Sequence, residues 1–309
     1  MTNTATSLLR EGKDSENLVE ERTLRLCTFN AKRGFFDSDT GRPNVHAVMS
    51  AIGDYRPDIL GFSEAFGYHQ YGRRGLLALA NQLTDANNGI RMEPYVAEFE
   101  GHANHPVLFV NTAVVQPDEW WEPHMPHTRQ VKWGWMRARV WGVPTYLSCQ
   151  HWQGGLGRHK FWEHASAMAY IGAEPAIALG DFNATSGWAG ERDLDWHEST
   201  AIADHMHKRL TKGHLVDGLW QVDTTQMDFL RLECGWRDLG EDAGDGTATT
   251  AEYRSGLRID RIMLSESFPG RLMPGTYAVH EPPDQPGPIS DHKMVTATVC
   301  MNAQLEDVQ

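Results

Sequence analysis

Apolar and polar positions alternate along the chain with two different periods, and the switch between them outlines the elements. From Leu24 onward, short apolar runs bounded by Gly, Pro, Asn or Asp predict strands, and runs with apolar residues three and four apart predict helices. Leu24–Phe29 reads as a buried strand, and so do Asp58–Phe62, Thr145–Cys149 and Ala176–Leu179, the last ending in Gly180. Leu257–Leu264 and Met294–Val299 close the set. Val107–Val115 and Met136–Val140 read as a pair of neighbouring strands. Asn44–Tyr55 has the helical spacing, with Val45, Val48, Met49 and Ile52 on one face and Asn44 as the cap. Helices are also expected around Arg74–Leu83, Lys160–Ile171 and Ser199–Leu210. Strands and helices do not alternate strictly, which predicts α+β layers built on two sheets rather than a parallel βαβ array. The Gly- and Asp-rich stretches between Ala184 and Gly256, such as GEDAGDG, predict surface loops.

With 309 residues, 40% hydrophobic and 22% charged, the chain has ample material for one large core, and nothing in it marks a linker. We expect a polar, flexible tail over residues 1–22, one catalytic domain over 23–300 and a short tail over 301–309. No apolar run approaches the length of a membrane span and the N-terminus lacks a signal-peptide core. The four cysteines, Cys27, Cys149, Cys234 and Cys300, have no metal-ligand or CxxC spacing, so a reducing, cytoplasmic compartment is the expectation. The formal net charge of −13 argues against a whole-molecule attraction to polyanions. Contact with nucleic acid must rest on a local basic patch and on bound cations.

Chemistry-bearing residues follow the apolar strands in a regular way. Asn30 ends LCTFN, Glu64 follows ILGFS, His151 follows YLSCQ, and Asp181 and Asn183 lie in LGDFN. Asp260 sits in LRIDRIML and Asp291–His292 in ISDHKMV. A side chain at a strand end is held by a rigid element and faces a rim, which suits an active site. Taken singly, each has a plainer reading as a turn or cap residue. Taken together, the set suits phosphoryl chemistry. Asp and Glu oxygens bind hard cations such as Mg²⁺ or Mn²⁺. An Asp can activate water, and a His paired with a carboxylate can stay protonated beside a phosphate.

In this order, GDFN, RIDRI and SDH resemble the endonuclease/exonuclease/phosphatase superfamily, which includes pancreatic deoxyribonucleases, AP endonucleases, sphingomyelinases and inositol polyphosphate phosphatases. The resemblance runs from Leu24 to Val299 and implies a four-layered α/β/β/α sandwich with two mixed β-sheets. It implies Glu64 as the main metal ligand with Asn30 and Asp291 beside it, and Mg²⁺ or Mn²⁺ as the cofactor. It implies Asp181 as the group that activates water, Asn183 as its helper, His292 on the scissile phosphate held by Asp260, and His151 as a second phosphate-side histidine. Two departures stand out. The family often has Gln before the metal-binding Glu, where this chain has Ser63. The deoxyribonuclease-like branch pairs its second His with a Glu on a neighbouring strand, and the matching stretch Asn104–Leu108 offers no acid.

Around this set, Lys32, Arg33 and Arg158 are candidates for flanking phosphates, with solvated loop charges as the alternative. Arg129, Lys132, Arg137 and Arg139, interleaved with Trp133 and Trp135, suggest a strand with a basic face and a stacking surface, although tryptophans at this spacing also suit packing. Trp152 and Trp188 are candidate substrate contacts by position. His205, His207 and His214 invite a zinc reading, but without cysteines or a partner motif a polar helix face is the plainer one. The expected activity is hydrolysis of phosphodiesters, with DNA as the first-choice substrate and no membrane or obligate protein partner. The rivals are a phosphatase or phosphodiesterase acting on a small or lipid-linked phosphate, and a non-catalytic nucleic-acid-binding module that kept the fold.

Overall fold

A computed structural model describes residues 22–32, 35–37, 42–98, 105–121, 132–152, 159–191, 213–250, 256–281 and 290–301. In chain order the strands are β1 (Arg22–Asn30), β2 (Phe36–Asp37), β3 (Arg42–Pro43), β4 (Ile59–Ser63), β5 (Met92–Val96), β6 (Val107–Asn111), β7 (Val115–Trp121), β8 (Lys132–Val140) and β9 (Val143–His151). They continue with β10 (Ala176–Asp181), β11 (Gly213–Val216), β12 (Leu219–Val222), β13 (Trp236–Asp238), β14 (Asp260–Ser265), β15 (Gly270–Leu272), β16 (Ala278–His280) and β17 (Met294–Met301). The longer helices are α1 (Val45–Ile52), α2 (Gln70–Ala86) and α3 (His159–Ile171). One sheet runs β15-β17-β1-β4-β6-β5, with β16 also on β17, and the other runs β13-β14-β10-β9-β8-β7. Both are mixed: β1 is parallel to β4 and β9 to β10, and their other pairings are antiparallel.

Period-2 alternation explains the layers. Leu24 and Leu26 of β1, Leu147 and Cys149 of β9, Ile177 and Leu179 of β10 and Ile262 and Leu264 of β14 all point between the sheets into one buried core. The intervening residues point outward. On the first sheet, Cys27, Phe29, Leu60, Phe62 and Phe109 pack against Val48 and Ile52 of α1 and Leu76, Leu79 and Leu83 of α2. On the second sheet, Ala176, Ala178, Trp135 and Met263 pack against Phe161, Ala165 and Met168 of α3 and against Met227 and Leu230. The result is the expected α/β/β/α sandwich. Asn44 caps α1 as expected, its Oδ1 accepting from Ala47 N at 3.0 Å. In α2, Tyr71, Gly72 and Arg73 have left-handed φ values, so the regular helix starts near the expected Arg74.

One expected pairing is corrected. Val107–Val115 is not a single strand beside Met136–Val140. β6 belongs to the first sheet, the chain turns at Asn111–Val114, and β7 starts the edge of the second sheet, so only Val115 meets Val140. Asn111 makes this crossing: its Nδ2 donates to Asp58 Oδ1 at 2.8 Å and its Oδ1 accepts from Ala113 N at 3.0 Å. A run that is apolar but for Asn111 and Thr112 hides such a change of sheet. The expected tails lie outside the described residues except for Arg22 and Met301, which pair with each other in β1 and β17, and the helix at Ser199–Leu210 also lies outside them. Among the described residues no helix is long and apolar enough to cross a membrane.

Candidate active site

At one end of the inter-sheet core the inward-facing positions turn from apolar to polar. The series Leu24, Leu26, Thr28 ends in Asn30; Leu147, Cys149 ends in His151; Ile177, Leu179 ends in Asp181; and Leu264, Ile262 leads back to Asp260. Register completes the convergence. Asp181 stands opposite His151 on one side and opposite Asp260 on the other, and Asn30 stands opposite Ser63, which precedes Glu64. Each polar end is buried, so its atoms need partners.

Those partners are largely one another. Asp181 Oδ2 accepts from Asn30 Nδ2 at 2.9 Å and from Asn183 Nδ2 at 3.1 Å, and Asp181 Oδ1 accepts from Asn183 N at 2.8 Å. Asn183 reaches back because its φ is +50°, a turn conformation that Asn tolerates, and its Nδ2 also donates to Trp152 O at 2.7 Å. Glu64 likewise leaves β4 with φ +59°, and its Oε1 lies 3.4 Å from Asn30 Nδ2 and 3.6 Å from His151 Nε2. His151 Nε2 is 3.9 Å from Asp181 Oδ2. The stretch at His105–Leu108 indeed supplies no acid to His151: His105 is buried there, its ring edge-on to His69 and its carbonyl accepting from Ala65 N.

His292 enters from the loop before β17. Its Nδ1 donates to Asp260 Oδ2 at 2.8 Å and its Nε2 lies 3.9 Å from Asp181 Oδ2. Burial opposes the imidazolium, but Asp260, with Asp181 and Asp291 adding to it, raises its pKa from 6.5 to about 10. Asp181, Asp260 and His292 offer three ligand atoms within 4.8 Å of one another. A protonated imidazole donating to Asp260 has no lone pair to ligate a cation, so only a neutral His292 would let this trio hold a metal. Asp291 sits beside it, 3.5 Å from Lys32 Nζ.

A further layer was not assigned roles from the sequence. Ser63 Oγ donates to Gln150 O at 3.1 Å and accepts from Asp181 N at 3.4 Å, tying the Glu64 strand to the Asp181 strand across the sheets. Thr249 Oγ1 accepts from the amides of Ile259 and Asp260 at 3.0 and 2.9 Å. Ser290 Oγ donates to Asn30 O at 2.7 Å and accepts from His292 N at 3.0 Å. Ser290 was already visible as the first letter of SDH. The others carry no local signal, since their partners are distant in the chain.

Two other expectations change, for Trp152 and for the Arg137 and Arg139 face, and the plainer packing reading holds for Trp135. Trp152 is fully buried, packed against Phe161, His164 and Phe182, so it is a core residue and offers no face to a substrate. Trp135 is buried under α3. Arg137 and Arg139 are exposed on β8 but lie towards the end opposite the site, since Lys132 is the residue that meets His151. His214 lies in the β11–β12 hairpin, in no metal-binding group among the described residues. Trp188 is half-buried. Arg33, Arg158, Arg129, His205 and His207 lie outside the described residues.

No protein-family model matches the chain, and no curated protein matches its sequence. Solved structures do match its shape. An endonuclease/exonuclease/phosphatase family protein from Bacteroides thetaiotaomicron aligns at 15% identity with a TM-score of 0.55, covering 92% of this chain and 99% of that one. The chain has the endonuclease/exonuclease/phosphatase fold. An AP endonuclease from Archaeoglobus fulgidus aligns at 14% identity and a TM-score of 0.56, covering 89% of this chain and 98% of that one. TDP2 from D. rerio, solved with a single-strand DNA product, aligns at 14% identity and 0.53 over 90% and 98%. In this endonuclease/exonuclease/phosphatase sandwich, the polar end of the inter-sheet core is where the strand-end residues gather.

Proposed function

We propose that this chain is a Mg²⁺- or Mn²⁺-dependent phosphoesterase that cleaves phosphodiesters by in-line attack of water, with DNA as its substrate. The observation that carries this reading is Asp181: three N–H donors between 2.8 and 3.1 Å fix its carboxylate, and it faces an imidazolium held by Asp260. A base and a cationic donor set this close suit an attacking water and the phosphate it attacks.

The oxygen-rich donor set beside them fits a hard divalent cation. Glu64, Asn30 and Asp291 would hold it, and when bound it polarises the phosphoryl oxygens and offsets their growing charge. The chain's own residues do the rest. Asp181 accepts the proton of the attacking water, and Asn183 and Asn30 keep the carboxylate aimed. His292 donates through Nε2 to a phosphate oxygen while Asp260 holds its Nδ1, and His151 contributes a second imidazole on the same side. Lys32 and Trp188 meet the flanking phosphate and base, with Arg33 and Arg158 as further phosphate contacts. Two structures of the same shape, an AP endonuclease and a TDP2 holding a DNA product, favour nucleic acid as the substrate class. The four cysteines are free, which suits a reducing compartment, and we assign the protein to the cytoplasm.

The net charge of −13 favours a second reading, a phosphatase or phosphodiesterase on a small or lipid-linked phosphate. Nicking of plasmid DNA with Mg²⁺, Mn²⁺ or EDTA, beside Glu64→Ala and Asp181→Ala proteins of unchanged circular dichroism, separates the two. Metal-dependent nicking that is lost in both variants and falls steeply with salt is expected. Hydrolysis confined to small phosphoesters would establish the second reading, and full activity of the Asp181 variant would remove both.

A further inference from the structure

The loop that leaves Asn183 is tied down by four buried charges that the catalytic reading does not use. Arg258 Nη1 donates to Glu191 Oε1 at 3.0 Å and to Asp238 Oδ2 at 2.9 Å, and Arg258 Nη2 pairs with Asp238 Oδ1. Arg261 Nη1 donates to the same two carboxylates at 2.7 and 2.6 Å, and its Nη2 donates to Glu191 Oε2 at 3.0 Å and to Ala184 O at 3.2 Å. All four side chains are at least nine-tenths buried. Glu191 also accepts from Ser186 N and Oγ at 3.0 and 2.7 Å, and Gly187 N donates to Asp228 Oδ1 at 2.8 Å. Asp228 is fixed in turn by Arg231 at 2.9 Å.

Near the tip of this loop stands Trp188. Its ring lies on the backbone of Gly190, where an added Cβ would come within 2.4 Å of it. Gly190 is backed by Gly246, whose own Cβ would meet the Gly190 carbonyl at 1.7 Å. Burying two guanidinium–carboxylate pairs is a poor route to stability alone, since apolar residues of the same volume serve as well or better. Such a network does fix one geometry. A loop ordered during folding does not have to be ordered when ligand arrives, and a rigid aromatic ring then binds at small entropic cost.

We propose that Glu191, Arg258, Arg261 and Asp238 form a positioning device that holds the Ala184–Glu191 loop so that Trp188 presents a fixed stacking face to the base next to the scissile phosphate. This rests on the phosphodiesterase reading above and makes the quartet, not the metal site, the source of preference for a base-bearing strand.

The test uses the full chain carrying 5-fluorotryptophan, with a Trp188→Phe protein to assign the Trp188 ¹⁹F signal. Glu191→Gln removes one charge, and Gly190→Ala displaces the ring with all charges kept, so one variant serves if the other fails to fold. In both, the Trp188 signal should shift or broaden. Cleavage is compared on a single-stranded oligodeoxynucleotide and on the same strand with abasic residues flanking the scissile position. For the base-bearing strand KM should rise about tenfold with kcat within about twofold, the scale of losing one stacked base, and the abasic strand should show no change. An unmoved ¹⁹F signal, or equal losses on both strands that follow the melting temperature, would overturn the proposal. If the unaltered protein cleaves neither strand, the role for a base on a single strand falls while plasmid nicking still decides the phosphodiesterase reading, and the ¹⁹F signal still decides whether the quartet holds the loop.

Discussion

Gly180 offers the sharpest test of how the sheet geometry sets the site. It precedes Asp181 with φ +144°, a region that residues with a Cβ rarely adopt. A Cβ there would lie 2.0 Å from Gln150 O and 2.8 Å from Gln150 C and N, which are backbone atoms of the parallel neighbour β9 and cannot rotate away. An ordinary contact needs about 3.3 Å or more, so Gly180→Ala must part β9 and β10 by more than about 1 Å. The bond from Trp152 N to Asp181 O, 2.9 Å long, would then pass the limit of a hydrogen bond. Strain of about 1–3 kcal/mol and one lost bond worth about 1 kcal/mol predict a destabilisation of about 2–4 kcal/mol. The same displacement moves Asp181 against Asn30 and His292, and a 1 Å misplacement of reacting groups costs on the order of a hundredfold in rate. Urea unfolding followed by near-UV circular dichroism measures the first effect. Phosphodiester hydrolysis under conditions where the variant is fully folded measures the second. A Gly180→Ala protein with an unchanged urea midpoint and unchanged kcat would refute the reasoning.

Trp152→Ala should cost about 3–5 kcal/mol in urea unfolding as a core truncation, with KM of the folded fraction unchanged. Ser63→Ala should lower kcat and weaken Mn²⁺ binding in titration calorimetry, each by about tenfold, by cutting the link between the Glu64 and Asp181 strands. Burial acts to raise the pKa of both Glu191 and Asp238, yet Arg258 and Arg261 outweigh it and hold both below the usual carboxylate range. Their contribution is therefore complete above the unfolded values of about 4.3 and 3.9 and is lost as pH falls through the lower folded values, so Glu191→Gln should flatten the acid side of a melting-temperature profile. Lys32→Gln should reduce the slope of log binding against log salt by about 0.7 for single-stranded DNA.

The layers were legible because burial imposes a period. Alternation in Leu24–Phe29 and spacing in Val45–Ile52 are forced by facing a core, and both elements stand within a few residues of where the pattern puts them. The change of sheet at Asn111–Val114 was not read, because VLFVNTAVV is apolar but for Asn111 and Thr112, and two polar residues inside such a run do not by themselves announce a turn held by Asp58. Among site residues, those at strand ends were readable as polar letters after apolar runs. Trp152 follows the same rule and misled for that reason: directly after His151 its ring turns outward beneath α3, where a large apolar side chain is what the second sheet needs. Arg258 and Arg261 were read only as the frame of Asp260. Their partners Asp238 and Glu191 are 20 and 70 residues away, and no spacing rule reaches so far.

The arrangement also explains how an acidic chain can handle a phosphate. Glu64, Asp181, Asp260 and Asp291 converge on one rim, and a phosphodiester there would be repelled if they acted alone. Each is instead committed. Asp260 is spent on His292, Asp291 on Lys32, and Asp181 on three N–H donors, so the field a substrate meets is that of an imidazolium, an ammonium and oriented amides. Glu64 in turn has its Oε1 3.4 Å from Asn30 Nδ2 and 3.6 Å from His151 Nε2. Net charge therefore says little about this site, because the residues that set its sign are paired locally and not summed over the surface.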